Sequence, residues 1–326
     1  MDSIDVGARR GEGGRSGGAG ELHPRTMRPR DRRATILGMS TDEERRALHE
    51  QNRRSWNAVT AAHNSHKLDQ AGFLRRGGST LYPEELALLG DVAGKRLLHL
   101  QCNCGQDTLS LASLGADVLG VDISDAAIQT AQELAQASGL PARFERADVL
   151  DWLDAAVANG RRFDRVFSSY GTIPWLADLP RWARGVAGVL AEGGELVLME
   201  FHPLCWSFNA EGKVVEPYFI EGPIPERGGV NDYVARSDGA LSPSGHAPGV
   251  VDFENPEPAF AFQQTVGAIV EALAEANLFV KRLWELPYSN GCKLFDGMEP
   301  LPGNRFGMPK GVPAMPLMLG VVATRR

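Results

Sequence analysis

Leu98-His99-Leu100-Gln101-Cys102-Asn103-Cys104-Gly105-Gln106-Asp107-Thr108 is the stretch whose reading decides the fold. It begins in a short apolar strand, Arg96–Leu100, passes through a turn, and opens a helix near Thr108. The turn holds a single Gly, so the three-glycine fingerprint of dinucleotide-binding folds is not met. It still leads from the carboxyl end of a strand into a helix, which is where open α/β sheets bind ligands.

Downstream the same rhythm continues. Strands are predicted over 116–122, 142–146, 163–168 and 195–201. Helices are predicted over 124–138, with Ser124 as N-cap, and over 179–190, closed by Gly193-Gly194. Strands alternating with helices predict an α/β protein with a doubly wound, mostly parallel seven-stranded sheet. A helix over 265–276 and strands over 279–285 and 316–324 complete that sheet. Upstream, Ser40 or Thr41 caps a long helix, and Pro83–Leu89 forms a short one.

The domain reading follows. Residues 1–40 form a Gly/Arg-rich tail expected to be disordered. Residues 41–92 form an N-terminal helical lid, and 93–203 the ligand-binding core. Residues 204–262, dense in Gly, Pro and aromatics, form a cap inserted after the fifth strand over a substrate pocket. Residues 263–326 return to the core.

Composition narrows the function classes. The chain has 326 residues, 43% of them hydrophobic and 23% charged, as in an ordinary soluble globular protein. No run of eighteen apolar residues occurs, so neither a membrane span nor a membrane partner is expected. Lys plus Arg number 34 against 41 Asp plus Glu, a net charge of −7. An acidic body gives no general attraction to phosphates, so nucleic acid is not expected as a partner. Cys102, Cys104, Cys205 and Cys292 read as reduced thiols in a cytoplasmic protein. No metal is expected: His63 and His66 are three residues apart, but no third ligand accompanies them.

Two acids stand at strand ends. Asp122 closes the second strand and is placed to accept hydrogen bonds from both hydroxyls of a ribose. Arg146-Ala147-Asp148-Val149 closes the third, where a backbone N–H and a carboxylate face a purine ring edge. Three successive strand ends would read the tail, ribose and base of one adenosyl ligand.

In these features the chain resembles the class I methyltransferases that use S-adenosylmethionine (SAM), over about residues 95–202. The family's first turn reads acid-x-Gly-x-Gly-x-Gly. Here His99 stands in the acidic position, Gln101 and Asn103 in the first two Gly positions, and Gly105 in the third. Asp122 matches the ribose-binding acid and Asp148 the adenine-contacting acid. Phe163–Ser169 matches the fourth strand, and the run from Leu190 to Leu196 the turn before the fifth. The resemblance implies SAM as cofactor, held by Gln101, Asn103, Gly105, Thr108, Asp122, Ile123, Ala147, Asp148 and Ser168. It implies SN2 methyl transfer to N or O of a small, partly apolar molecule of bacterial small-molecule type. His202 and Tyr170 are the candidate catalytic residues, His202 because its free pKa lies near neutrality. His63, Tyr218, Tyr233, Tyr288 and Asn290 are candidate substrate contacts. Two alternatives stay open: a non-catalytic SAM-binding or scaffold homologue, and a nucleotide-dependent oxidoreductase. The oligomeric state is open, with a homodimer as one arrangement.

Overall fold

The strand residues alternate in direction, and both faces of the sheet they build are apolar. Leu97, Val118, Phe167 and Val197 pack on one side, with Leu88, Leu89 and Leu111. Their neighbours Leu98, Leu119, Val166 and Leu198 pack on the other, against Leu150, Leu153 and Trp182. A sheet buried on both faces needs helices on both, which is the reason for the predicted alternation. A computed structural model describes residues 41–325; the tail expected over 1–40 lies outside the described residues.

In chain order the elements are α1 (Asp42–Ser65), α2 (Gln70–Arg75), α3 (Pro83–Leu89), β1 (Arg96–Leu100), α4 (Gln106–Ser113), β2 (Asp117–Asp122), α5 (Asp125–Ser138) and β3 (Ala142–Arg146). There follow α6 (Val149–Ala158), β4 (Phe163–Ser169), α7 (Leu179–Val189), β5 (Leu190–Phe201), β6 (Pro223–Glu226), α8 (Tyr233–Arg236) and β7 (Ala259–Phe262). The chain closes with α9 (Val266–Glu275), β8 (Leu278–Leu286), β9 (Ser289–Asn290), β10 (Glu299–Leu301), β11 (Arg305–Gly307) and β12 (Met318–Arg325).

The main sheet has seven strands in the order β3-β2-β1-β4-β5-β12-β8. β12 runs antiparallel to both its neighbours, with Gly320 opposite Met199 and Trp284. Strands β1 to β5 are parallel, so their carboxyl ends share one edge. Strand order reverses at β1, between β2 and β4, and a ligand crevice opens there. Among the described residues no helix is long and apolar enough to cross a membrane.

Local chemistry sets most element ends. Thr41 caps α1 with a reciprocal bond to Glu44: Thr41 N–H donates to the carboxylate (2.7 Å) and Glu44 N–H to the hydroxyl (3.2 Å). Ser124 caps α5, and Gly139 ends it in the left-handed region at φ 74°. β5 differs from expectation. It begins at Leu190, directly after α7, with Leu190 beside Phe163. Gly193 and Gly194 lie inside it at an irregularity of register, so they bend a strand and do not close a helix.

Gly105 also finds a different reason. It sits at φ 74°, and a Cβ there would lie 2.7 Å from the Phe144 ring and 2.9 Å from Ala131 Cβ. Its missing side chain makes room for β3 and α5, and Gly105 does not line the cavity at the carboxyl edge of the sheet. Gly105→Ala adds a clash to an unfavourable φ, and should destabilise the protein by about 3 kcal/mol. Chemical denaturation checks this; a loss below about 1 kcal/mol would refute the packing account.

Candidate active site

The carboxyl edge of the sheet is the floor of a cavity of about 740 Å³. That is within the ~300–1,000 Å³ that ligand pockets usually span. The floor comes from Gln101, Asn103, Asp122, Ile123 and the turn after β4. One wall is α1, through His49, Asn52, Trp56 and His63, and the chain that follows it to Tyr82. The roof uses residues of 224–244 and 261–263. Asn290, Cys292, Lys293 and Asn304, from the connection between β8 and β12, also reach it. Sequence reasoning expected one cap; the cavity is roofed by two insertions.

The first turn is shaped by its own polar groups. Gln101 and Asn103 have φ of 54° and 48°. Non-glycine residues keep such values only when neighbours hold them. Asn103 N–H donates to Asp122 Oδ2 at 2.8 Å, and Asn103 Oδ1 accepts from Cys104 N–H at 2.7 Å. Gln101 Nε2 donates to the Thr172 carbonyl at 2.8 Å. Its Oε1 is buried with no hydrogen-bond partner. Asp122 Oδ1 accepts from Ser124 N–H at 2.8 Å. Burial pushes the Asp122 carboxyl above the usual range, while the N–H bonds from Ser124 and Asn103 favour its ionised form.

His99, in the family's acidic position, is buried under the same turn. Its Nδ1 meets Thr108 Oγ at 2.8 Å, its Nε2 meets Ser169 Oγ at 3.4 Å, and its ring lies 4.9 Å from that of Phe167. Burial drives its pKa down to about 3, so the ring is neutral. Thr108 serves His99, and Ser168 Oγ pairs with Thr172 Oγ at 2.9 Å. Neither lines the cavity.

The third strand end is used differently from expectation. Ala147 N–H donates to the Asp122 carbonyl at 2.9 Å. Asp148 does not line the cavity. Its Oδ1 caps α6 through Leu150 and Asp151 N–H, and its Oδ2 takes Arg45 (3.1 Å) and His49 Nδ1 (2.6 Å). Against the effect of burial, the His49 hydrogen bond and the Arg45 charge hold its pKa down to about 2. His49 Nε2 accepts Ala177 N–H at 3.2 Å, so the ring's proton sits on Nδ1 and points at Asp148. It is His49 that meets the cavity.

Tyr170 lines the cavity at φ 47°. Its N–H donates to Met199 O at 2.7 Å, and its hydroxyl accepts from Asn290 Nδ2 at 3.1 Å. Burial pushes its phenol well above the ordinary value, so it stays protonated. The turn it occupies is held by Glu200, a residue with no expected role. The buried Glu200 carboxylate accepts N–H from Gly171, Thr172 (2.8 Å), Ile173 (2.9 Å) and Phe201 (2.7 Å). An acid inside the apolar run 196–201 was the available signal.

The remaining candidates divide. His63, Tyr233 and Asn290 line the cavity; the His63 and Tyr233 rings are 4.2 Å apart. His63 Nε2 meets the Asn231 carbonyl at 3.0 Å, and burial lowers its pKa to about 4. His202, Tyr218 and Tyr288 do not line it. His202 Nδ1 accepts Leu204 N–H (3.1 Å) and Nε2 meets Glu285 (3.0 Å). Tyr218 hydroxyl accepts Val266 N–H at 3.0 Å, and Tyr288 donates to Glu84 at 2.7 Å. His66 Nε2 meets Asp232 at 2.9 Å; among the described residues no group of three or more His, Cys, Asp or Glu side chains forms a metal-holding arrangement.

Two outcomes follow from this geometry. Glu200→Gln replaces an acceptor of four N–H groups and the Thr172 hydroxyl by an amide with a donor, and should cost about 3 kcal/mol in denaturation; a loss under about 1 kcal/mol would show that the turn holds itself. Buried neutral His99 has a folded pKa below its unfolded value of about 6.5. Its contribution is therefore full above pH 6.5 and is lost as pH falls. Between pH 6.5 and 5 wild type should lose about 2 kcal/mol that His99→Gln does not lose; parallel stability curves would contradict it.

Residues 97–194 match the family model described as a methyltransferase domain. A demethylmenaquinone methyltransferase from Thermus thermophilus is 34% identical over 148 residues, which is 45% of this chain and 63% of that protein. A 23S rRNA (uracil(1939)-C(5))-methyltransferase, RlmD, from Ralstonia nicotianae is 33% identical over 122 residues, 35% of this chain and 25% of that one. The chain thus spans less than two thirds of the curated relatives it matches. A solved structure from Listeria monocytogenes, assigned as an S-adenosylmethionine dependent methyltransferase, superposes with a TM-score of 0.52 at 19% identity, covering 78% of this chain and 99% of that one. That likeness concerns the fold.

Proposed function

With a class I methyltransferase domain over residues 97–194 as the premise, we propose that this protein is a SAM-dependent enzyme that methylates N or O of a small, partly apolar molecule. The observation that carries the reading is Asp122. It stands at the end of β2, faces the cavity, and has its charged form supported by two backbone N–H groups.

The residues present fit an adenosyl ligand. Asp122 would hold the ribose hydroxyls, with Ile123 and His49 beside the base. Gln101 Oε1, buried and unpartnered, needs a donor that a ligand's amino group supplies. Bound SAM supplies an electrophilic methyl on a sulfonium. The chain's task is alignment and exclusion of water. Trp56, Trp175 and Tyr233 offer aromatic faces, which favour a sulfonium cation. Residues 41–92 act as lid and 204–262 as cap in this reading, with 287–317 completing the roof.

Tyr170 and Asn290 orient the acceptor. The Tyr170 phenol stays protonated, so it positions a nucleophile by hydrogen bonding and does not remove its proton. His202 is engaged elsewhere, and its pKa is lowered by burial despite Glu285.

Calorimetric titration of SAM and S-adenosylhomocysteine should show micromolar binding, weakened about 100-fold by Asp122→Ala and by the isosteric Asp122→Asn. No binding by wild type would overturn the reading. Binding without turnover across amines, phenols and an rRNA fragment would favour the non-catalytic homologue. Turnover of the rRNA alone would refute the small-molecule acceptor. For the acceptor found, Tyr170→Phe should lower kcat/KM about 10-fold with unchanged S-adenosylhomocysteine affinity; an unchanged rate would remove Tyr170 from the site.

A further inference from the structure

The cavity is lined by a cation that has no ion-pair partner among the described residues. Three basic side chains other than histidine line it: Lys67, Arg236 and Lys293. Arg236 pairs with Asp296 at 3.1 Å and Lys293 with Asp238 at 3.6 Å. Lys67 makes no ion pair among the described residues. A half-buried ammonium facing a cavity wall needs a counter-charge, and nothing within pairing range supplies one.

Its position is fixed by the elements around it. Lys67 follows the C-cap of α1, and its N–H donates to the Asn64 carbonyl at 3.1 Å. Asn64 Nδ2 donates to Cys104 Sγ at 3.1 Å, and Gln106 Nε2 donates to Gln70 at 2.8 Å. These bonds seat the end of α1 and the start of α2 on the turn that follows β1. Cys104, Asp107 and Asp232 are the charge-bearing or titratable neighbours that Lys67 feels.

Of these, Asp107 lines the same cavity. It lies in the first turn of α4. Burial pushes its carboxyl above the usual range; the Thr80 hydroxyl, which its Oδ1 accepts at 2.6 Å, the Lys67 charge and the Ser169 hydroxyl favour the charged form. Ser169 in turn meets His99. Asp107 therefore occupies the corner where neutral His99 leaves the end of β1 without charge. Gln101, with its unpartnered Oε1, belongs to the turn that leads into this corner.

A cation and an anion line one cavity and lie near enough to feel each other's charge, yet form no ion pair. Such an arrangement suits a zwitterion that bridges them. We propose that Lys67 and Asp107 form an α-amino-acid subsite: Lys67 Nζ holds the α-carboxylate of the cofactor's methionine end, and Asp107, with Gln101 Oε1, holds its α-ammonium. The proposal rests on the SAM reading of the site. Asp122 fixes the ribose at one end of the first turn; Lys67 and Asp107 fix the amino acid at the other. Three substituted positions, His99, Gln101 and Asn103, are thereby accommodated without loss of charge recognition.

The test compares S-adenosylhomocysteine with 5′-methylthioadenosine, which keeps the adenosine and thioether and lacks the amino acid. Wild type should bind S-adenosylhomocysteine at least 10-fold more tightly. Lys67→Gln and Asp107→Asn should each weaken it about 10- to 100-fold and leave 5′-methylthioadenosine affinity unchanged. Unchanged S-adenosylhomocysteine binding in either variant overturns the role of that residue. Equal losses for both ligands would show a structural effect and overturn the subsite. Failure of wild type to bind either ligand defeats the SAM reading itself, and is thus distinct from failure of this subsite.

Discussion

Carboxylates placed at the ends of parallel strands, each accepting several backbone N–H groups, hold the functional edge of this protein together. A parallel sheet delivers every turn of interest to one edge, and those turns leave N–H groups without partners. Asp122 serves the first turn and the start of α5. Asp148 serves α6, and Glu200 serves the turn after β4. Each carboxylate is desolvated, which alone disfavours its charge; the partners around Asp148 outweigh that cost, while the N–H donors at Asp122 and Glu200 offset part of it and leave both carboxyls above the usual range. The strained backbone at Gln101, Asn103 and Tyr170 persists because these acids and the sheet hold both ends of each turn.

The same economy governs α1. Its inward face is polar: Arg45, His49, Asn52, Ser55 and His63 are all buried, at helical spacing. Arg45 and His49 reach Asp148. Asn52 brackets the backbone of Phe260, giving one bond and taking one (2.9 and 2.7 Å). Ser55 donates to Glu257 O and accepts Val230 N–H, both at 2.9 Å. A helix seated by hydrogen bonds on both sides is specific in position, and its buried apolar residues are Val59 and Ala62, with Trp56 partly buried. That is the character expected of an element that lies across a ligand site, where stability is local and low.

The strands and most helices were legible in the sequence because their signals are local. Val-rich runs, a Ser or Thr before an apolar periodicity, and Gly at helix ends depend on near neighbours alone. The boundary at Leu190 was missed because a pair of glycines reads equally as a helix stop or a strand bend, and pairing with Phe163 decides between them. The role of Asp148 was only half legible. Its strand-end position was clear, but Arg45 and His49, about a hundred residues earlier, claim its carboxylate. Glu200 carried a visible oddity, an acid in an apolar strand, without a visible purpose.

The chain's own pattern thus determined the doubly wound sheet and the placement of Asp122 and the first turn at its strand ends; the order of the strands came from the structure. The sheet and its strand ends follow from periodicity and the right-handed crossover of parallel strands. Tertiary structure decided which polar groups face the cavity. Tyr170, His63, Tyr233 and Asn290 meet there, while His202, Tyr218 and Tyr288 are spent on neighbours outside it. The reason is physical. A hydrogen-bonding side chain is as able to satisfy a distant backbone group as a ligand, and only the fold says which lies within 3 Å.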